Sequence, residues 1–156
     1  RIEDAIYYDM DTYSGYLQEN GESLSRGVEL SATLPLGAQW QLQSNYTYND
    51  TERSDGSQRQ LRPRNLGNLK LSWHSEDGRL RLHGFYRLSQ GAKDVSAGRE
   101  VSIGRSKVTD VNVSFAVNSA LELYGRIDNL FDADYTEVYG YHTPGRAGYV
   151  GFRVNF

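Results

Sequence analysis

The sequence predicts an all-β chain, the wall of a transmembrane antiparallel up-and-down β-barrel, and three observations support this fold class. Apolar and polar residues alternate along segments of about ten residues, the length at which a tilted strand crosses a bilayer. The connections between these segments are alternately short and long. The chain closes on the alternation YVGFRVNF, in which Val150, Phe152, Val154 and Phe156 share one side.

The composition fits a membrane sheet better than a helical membrane protein or a nucleic-acid-binding protein. Only 38% of the 156 residues are hydrophobic, and no apolar run reaches the roughly 18 residues that a transmembrane helix needs. Twelve tyrosines and sixteen glycines suit strands and interfacial girdles. The net charge of −3 argues against a nucleic-acid partner, and the absence of cysteine excludes disulfides and thiolate sites.

Eight strands are predicted, each with one apolar side. They lie at about 2–10, 26–34, 39–49, 65–75, 79–89, 107–117 and 120–129, followed by the terminal strand. In chain order, the first seven carry on their apolar sides Ile6, Tyr8 and Met10; Val28, Leu30, Ala32 and Leu34; Trp40, Leu42, Ser44, Tyr46 and Tyr48; Leu69, Leu71 and Trp73; Leu80, Leu82, Tyr86 and Leu88; Val111, Val113, Phe115 and Val117; and Leu121, Leu123 and Ile127.

The opposite sides of these strands are polar and charged. A soluble sandwich would leave that face in solvent, but its strands average about five or six residues, shorter than these. In a barrel the same face lines the interior, where arginine–aspartate and arginine–glutamate pairs can form. The charged residues expected there are Lys70, Arg81, Arg87, Glu122, Arg126, Asp128 and Arg153.

The alternating connections predict the orientation of the chain. Three are short, around 35–37, 76–78 and 118–119, and four are long and polar, at about 11–25, 50–64, 90–106 and 129–147. Bacterial outer-membrane barrels place short turns in the periplasm and long loops outside. We therefore expect both chain ends at the periplasmic side of the bacterial outer membrane, with Trp40 near the inner aromatic girdle and Tyr46 and Tyr48 near the outer one.

Two motifs in the last loop resemble the closing signature of TonB-dependent outer-membrane receptors. NLFDADY at 129–135 is followed by YGYHTPGR at 139–146 and by a strand that ends in an aromatic residue. The strand start Gly27-Val28-Glu29-Leu30 is also similar to that family. The sequence of residues 139–146 is most similar to that of the vitamin B12 (cobalamin) receptor branch, although siderophore and metal receptors vary the same loop.

The resemblance implies that residues 1–156 form a C-terminal β-barrel segment, eight strands of a 22-stranded barrel. Such a receptor imports a large scarce nutrient, here a cobalamin-like compound or a siderophore or metal complex, and is not an enzyme. Family members also carry a plug domain, which nothing in residues 1–156 resembles. The alternative is a stand-alone eight-stranded barrel with a structural, adhesive or assembly-substrate role.

The resemblance also implies the partners. These are outer-membrane lipid and lipopolysaccharide, the barrel assembly machinery, the TonB energy-coupling protein and the imported ligand, with no nucleic acid among them. No cofactor is expected, although calcium is possible in the full receptor. The acidic residues of the loops are expected to be a solvated surface, bridged to lipopolysaccharide by divalent ions, rather than a specific metal site.

Two groups of residues are candidates for specific roles. By resemblance, Tyr139, Tyr141 and His142 contact ligand, since tyrosine rings offer rigid amphipathic contact area; the alternative is that they anchor the loop. The terminal strand resembles the assembly signal of outer-membrane proteins, which strand addition can read. Its residues are Tyr149, Gly151, Val154 and Phe156, and the alternative is that they only face lipid and the girdle.

The sequence does not favour a metal centre or a catalytic site. His74, His83 and His142 lie on different strands or loops without the paired spacing of zinc ligands. An outer-membrane lipid-modifying enzyme, the third hypothesis, would need a serine and an acid beside a histidine at the outer rim. His83 is expected to face the barrel interior near mid-strand, with no serine of distinctive context beside it.

Overall fold

A computed structural model describes residues 2–3, 6–8, 15–18 and 21–155, and every regular element there is a β-strand. Within these residues no helix has the length and apolarity to cross a membrane. The strands are β1 (Ile2–Glu3), β2 (Ile6–Tyr8), β3 (Tyr16–Gln18), β4 (Glu22–Pro35), β5 (Trp40–Glu52), β6 (Asn65–His74), β7 (Leu80–Gln90), β8 (Lys93–Ser96), β9 (Arg99–Ser102), β10 (Ser106–Ala116), β11 (Leu121–Asp128) and β12 (Ala147–Val154).

Eight of these strands form one antiparallel sheet in the order β1-β4-β5-β6-β7-β10-β11-β12. Neighbours in the sheet follow one another along the chain, except where a small hairpin, β2–β3 or β8–β9, intervenes. This is the predicted up-and-down order. Within the described residues β12 pairs with β11 alone, so β1 and β12 are the two edges of the sheet.

The register confirms the predicted faces. Because side chains alternate with a period of two, one shared row of paired residues fixes the face of each strand that it crosses. We call the side that carries the apolar residues the apolar face and the opposite side the polar face. One such row of the apolar face runs Trp40, Trp73, Leu82, Val113, Gly125 and Val150 from β5 to β12.

Large hydrophobic side chains on the apolar face remain exposed to the surroundings. Val150 is 91% exposed and Phe152 is 69% exposed. A soluble protein would cover such a surface, whereas a sheet that spans a bilayer presents it to lipid.

The short connections are tight turns, as predicted. Backbone hydrogen bonds close them from Leu36 N to Trp40 O at 2.8 Å and from Ser75 N to Leu80 O at 2.9 Å. Beside the first turn, the rings of Trp40 and Trp73 lie 6.1 Å apart on the apolar face. Indole rings at this end fit the interfacial aromatic girdle expected there.

Opposite charges pair across the polar face, as predicted. The Arg87 guanidinium lies 3.2 Å from the Asp110 carboxylate. The corresponding distances are 2.9 Å for Arg153 with Glu122 and 3.1 Å for Arg126 with Asp128. Because these side chains are only partly covered, each pair contributes about 0–1 kcal/mol. Their main effect is to neutralise six charges on the polar face.

The polar face is concave. Side chains from β4 and β5 line the same cavity of about 800 Å³ as Tyr149 of β12, together with the last loop. A flat sheet would hold these strands far apart, so the sheet curls toward its polar side in the sense that a barrel wall requires.

The predicted first strand, 2–10, is wrong in its pairing. Of its described residues, Ile2 and Glu3 join the sheet, opposite Ser23 and Glu22 of β4. Ile6–Tyr8 instead pairs with Tyr16–Gln18, in a region predicted to be loop. The alternation predicts a strand but not the strand with which it pairs. Pairing with a strand about ten residues away costs little loop-closure entropy. Met10 lies outside the described residues.

The long connection at 90–106 joins β7 to β10 as predicted, and it contains the β8–β9 hairpin, which was not predicted. Lys93–Ser96 pairs with Arg99–Ser102 around Ala97 and Gly98, whose φ angles are 50° and 70°. Two consecutive positive φ angles are typical of a type I′ hairpin turn. The signal in the sequence was a small residue followed by glycine between two short segments with an extended pattern.

A charge on the apolar face is expected to destabilise the protein more than the same charge on the polar face. Val113→Lys should lower the free energy of unfolding in lipid by about 2–4 kcal/mol, because the ammonium would enter the hydrocarbon region. Its neighbour on the polar face, Asn112→Lys, is the control and should cost much less. Urea unfolding in bilayers measures both values, and equal costs would contradict the assignment of the faces.

Candidate ligand-binding crown

Three outer loops are joined to one another by hydrogen bonds. We call residues 53–64, 91–105 and 129–146 together the crown. Leu61 N donates to Lys93 O at 2.7 Å, which joins the first loop to the second. Tyr139 N donates to the Asp94 carboxylate at 3.0 Å, which joins the second to the last. The loops therefore form one connected surface rather than three independent ones.

A small core lies beneath the crown. Ala92, Ile103 and Val108 are 6%, 8% and 3% exposed, and they are the buried hydrophobic side chains among the described residues. Ile103 N donates to Ala92 O at 2.9 Å, so the base of the β8–β9 hairpin is part of this core. Gln58 is also buried and its amide donates to Gly91 O at 2.7 Å. Packing and hydrogen bonding fix the crown at its base.

Asn129, the first residue of the NLFDADY motif, connects the sheet to the last loop. It is 3% exposed, and its backbone N–H donates to the Asp110 carboxylate of β10 at 2.9 Å. Its side-chain amide donates to Ala133 O and accepts from Ala133 N, both at 2.9 Å. Its φ angle of 51° lies in the left-handed region, which asparagine tolerates better than most residues. Through these two bonds the Asn129 side chain pairs with the Ala133 backbone, as a neighbouring strand would, just beyond the end of β11.

Asp132 and Arg146 hold the two ends of the last loop together. The Asp132 carboxylate accepts from Arg146 N at 2.8 Å, and the Arg146 guanidinium donates to Leu130 O at 3.4 Å. A Cβ at Gly145 would lie 3.0 Å from the same carboxylate oxygen, so the glycine leaves room for this close approach. Residues 129–132 and 144–146 form a clasp, and the predicted turn into the last strand at 144–146 is part of it.

The predicted ligand residues lie at the tip of this clasped loop. Tyr141 is 73% exposed and Tyr139 is 51% exposed, and His142 is exposed as well. The backbone of Tyr139 anchors the loop through Asp94, whereas its ring faces outward. Thr143 donates to Tyr135 O at 2.6 Å and holds the far side of the tip. Ligand contact by Tyr139, Tyr141 and His142 stays a prediction.

Some charged groups of the crown are paired or hydrogen-bonded close by. Arg64 pairs with Asp50 at 3.1 Å, and Lys93 pairs with Glu100 across the β8–β9 hairpin. A hydrogen bond from the Ser57 hydroxyl, a second from the Ser57 amide and the nearby Arg53 hold the pKa of Asp55 below its usual value. Asp55 is thus ionised at neutral pH and stabilises the turn at the tip of its loop.

The predicted assembly-signal residues of β12 divide between the two faces. Tyr149 and Gly151 pair with Arg126 and Tyr124 on the polar face, whereas Val154 lies on the apolar face. The Arg126 guanidinium lies 4.4 Å from the centre of the Tyr149 ring. These contacts give Tyr149 and Gly151 a role in the folded sheet, and their role in assembly stays a prediction. Phe156, the fourth residue, lies outside the described residues.

A Cβ at Gly151 would displace the ring of Tyr124. It would lie 2.5 Å from the ring of Tyr124, because that ring covers the glycine from the neighbouring strand. An aromatic ring over a cross-strand glycine covers backbone that would otherwise be bare. Tyr124 and Gly151 therefore fit one another on the polar face.

A serine lies beside His83, although without a distinctive sequence context. Its Nδ1 lies 3.0 Å from the Ser72 hydroxyl across the β6–β7 pair. No carboxylate among the described residues hydrogen-bonds this histidine, so the pair lacks the third group of a hydrolase triad. In the same residues, no group of three or more His, Cys, Asp or Glu side chains is placed to hold a metal ion.

A family comparison accounts for the sheet and the start of the last loop. Residues 1–130 match the family model described as TonB dependent receptor-like, beta-barrel. The chain belongs to this family. Membership places it in the outer membrane of Gram-negative bacteria and confirms the superfamily that the motifs at 129–146 resemble.

Solved receptors share the fold over nearly the whole chain. The FpvA receptor of P. aeruginosa, bound to a heterologous pyoverdine, is 16% identical with a TM-score of 0.79 over 99% of this chain and 23% of its own. The copper transporter OprC is 20% identical, with a TM-score of 0.77 over 99% and 27%. The ferric-catecholate import receptor Fiu from E. coli K12 is 22% identical, with a TM-score of 0.72 over 99% and 24%.

These identities establish the fold alone. The chain spans about a quarter of the length of each of these receptors.

Removing the Asn129 amide is expected to loosen the crown. Asn129→Ala deletes both hydrogen bonds to Ala133 and should cost about 1–2 kcal/mol of stability, because the partly buried backbone groups of Ala133 are left unpaired. Amide hydrogen exchange should accelerate at Ala133 and around Tyr139. Asn118→Ala is the control, since it removes two similar bonds in a short turn at the other end of the sheet. If both variants loosened the crown equally, the clasp would be excluded as its support.

Removing the Ser57 hydroxyl is expected to raise the pKa of Asp55 toward its usual value. Because the folded pKa is lowered, the carboxylate stabilises the fold above the unfolded pKa, and this is lost as the pH falls through the folded pKa. Ser57→Ala should therefore shift the acid limb of the Asp55 carboxyl NMR titration upward.

A matched control lies in the short turn at 75–79. There the Ser75 hydroxyl lowers the pKa of Asp77 in the same way. Ser75→Ala should raise the pKa of Asp77 and leave that of Asp55 unchanged. An unchanged Asp55 titration in Ser57→Ala would refute the assigned cause.

Proposed function

We propose that this protein takes up a large, scarce nutrient across the outer membrane, with energy supplied through TonB. Membership of the receptor family over residues 1–130 carries the proposal. The chain would supply part of the barrel wall, part of the ligand-binding loop surface and the C-terminal assembly signal. Partners in the complete receptor would be the TonB energy-coupling protein and, during biogenesis, the barrel assembly machinery.

The geometry of the crown supports ligand capture at the cell surface. Its loops are joined to one another and clasped at Asn129, so little conformational entropy is lost when a ligand binds. Tyr141 presents an exposed ring at the tip, and Tyr139 and His142 lie beside it. Tyrosine rings contribute large contact area with few rotatable bonds, which suits a bulky ligand with both apolar and polar parts.

Two ligand classes fit this surface. The resemblance of the sequence at 139–146 to cobalamin receptors supports a cobalamin-like compound as the ligand. Receptors with the same fold are described for ferric pyoverdine, ferric catecholate and copper, which supports an iron–siderophore or other metal complex. Both classes are too large for the small pores of general porins and are scarce enough to justify energised uptake. We place cobalamin-like compounds first and iron–siderophore complexes second.

Truncation of Tyr141 is expected to reduce uptake. In cells whose only receptor of this kind is the native protein, Tyr141→Ala should lower uptake of labelled cyanocobalamin, or of a labelled ferric siderophore, by about tenfold, as for an interface hot spot. Phe131→Ala is the control, because Phe131 is equally exposed but lies in the clasp rather than at the tip. Comparable loss in both variants would exclude a specific role for Tyr141.

The same assay tests the function itself. Deleting the whole protein should abolish uptake of one of the two compounds, and removing TonB should have the same effect. Uptake of both compounds that survives deletion would overturn the proposed function, whereas loss on deletion with full activity in Tyr141→Ala would overturn only the assigned ligand contact.

A further inference from the structure

A polar cavity of about 320 Å³ lies between the first two loops of the crown. Its lining comes from the outer end of β5, the first loop and the β8–β9 hairpin, with residues 50–52, residues 56–58, Arg64, Lys93 and Glu100. Lys93 precedes Asp94, whose carboxylate holds the backbone of Tyr139. The cavity therefore belongs to the same connected surface as the predicted ligand residues.

Two buried side chains in the wall of this cavity have an oxygen without a hydrogen-bond partner. Thr51 is 5% exposed and Gln58 is 6% exposed. Within the described part of the chain, neither the Thr51 hydroxyl nor the Gln58 amide oxygen makes a hydrogen bond. Buried polar atoms are rarely left unpaired in proteins, because each one costs stability. Two such atoms in one cavity indicate a partner that these residues of the chain do not supply.

The orientation of the Gln58 amide shows which kind of partner is needed. Its nitrogen donates to Arg62 O and to Gly91 O, both at 2.7 Å, so both of its N–H groups are used. Turning the amide over would place its oxygen against these two carbonyl oxygens. The unpaired atom is therefore the oxygen, which only accepts hydrogen bonds, and the partner must be a donor.

The charges around the cavity disfavour an anionic partner. Arg64 pairs with Asp50, and Lys93 pairs with Glu100, so these two cations are already neutralised. Glu52 is the third carboxylate of the lining, which gives three acids and two cations and a net charge of −1. A donor that is neutral or positively charged suits this field better than one attached to an anion.

We propose that this cavity binds a hydrogen-bond-donating group of the imported ligand, a carboxamide or an ammonium, through the Thr51 hydroxyl and the Gln58 amide oxygen. Its volume is about ten times the space of one water molecule in the liquid, enough for such a group and its attachment. The inference rests on the proposed function and adds a second contact, separate from the tip of the last loop. Within the two ligand classes it favours compounds with amides or amines over compounds that present only carboxylates or phenolates.

Thr51→Val tests the site with little change of shape. Isothermal titration of the complete native protein with cyanocobalamin, and separately with ferrioxamine B, gives the affinity for a carboxamide-bearing and an ammonium-bearing compound. Thr51→Val should lower the affinity for the compound that binds by about fivefold, the effect of losing one hydrogen bond. The stability of the variant should be unchanged or higher, because it lacks a buried hydroxyl without a partner.

Ser23→Ala is the matched control. It removes another buried hydroxyl without a partner, which lies outside the lining of the cavity, and it should leave both affinities unchanged. A loss of cyanocobalamin affinity in Thr51→Val would assign a carboxamide to the cavity, and a loss of ferrioxamine B affinity would assign an ammonium.

Two results would overturn the site alone. These are unchanged affinities in Thr51→Val, which would mean that its hydroxyl meets only water, and an equal loss in Ser23→Ala. Uptake that is still lost when the whole protein is deleted would then preserve the proposed function. Failure of the native protein to bind either compound would overturn the site and the proposed ligand classes together.

Discussion

The structure depends on one constraint, which is that a backbone crossing hydrocarbon must pair all of its own polar groups. An antiparallel ladder meets this requirement on both sides of β5, β6, β7, β10 and β11, because each of these strands lies between its neighbours along the sheet. With the backbone satisfied, the faces are free to diverge, one apolar toward lipid and one polar toward the interior. The usual hydrophobic core is therefore small, and among the described residues its buried side chains are Ala92, Ile103 and Val108 beneath the crown.

The parts of the fold that could be predicted are those that the bilayer constrains. The segments around β5, β6, β7 and β10 combine a strict alternation with the length needed to span the membrane, and both signals agree there. The β2–β3 and β8–β9 hairpins lie beyond the sheet, where neither length nor alternation is imposed. Their strands are short and pair with a strand close by along the chain, and neither signal of the membrane-spanning strands marks β3, β8 or β9, so the sequence left these three in loops.

The candidate site, like the fold, could be predicted only in part. The NLFDADY and PGR motifs mark the last loop in the sequence. The contacts that these residues make cannot be inferred from their spacing. Asn129 bonds to a residue four positions later and to Asp110 on a neighbouring strand. The His83–Ser72 contact was missed for a related reason, because cross-strand neighbours are known only when the register is known.

The fit between Tyr124 and Gly151 has a consequence for how the last strand finds its place. A slip of two residues would keep both faces of β12 correct, so the hydrophobic pattern cannot detect it. Such a slip would bring Tyr149 or Arg153 opposite the Tyr124 ring, which occupies the space that their side chains would need. The contact between Tyr124 and Gly151 thus favours the observed alignment of the final hairpin over a two-residue slip, which the alternation of lipid-facing and interior-facing residues tolerates.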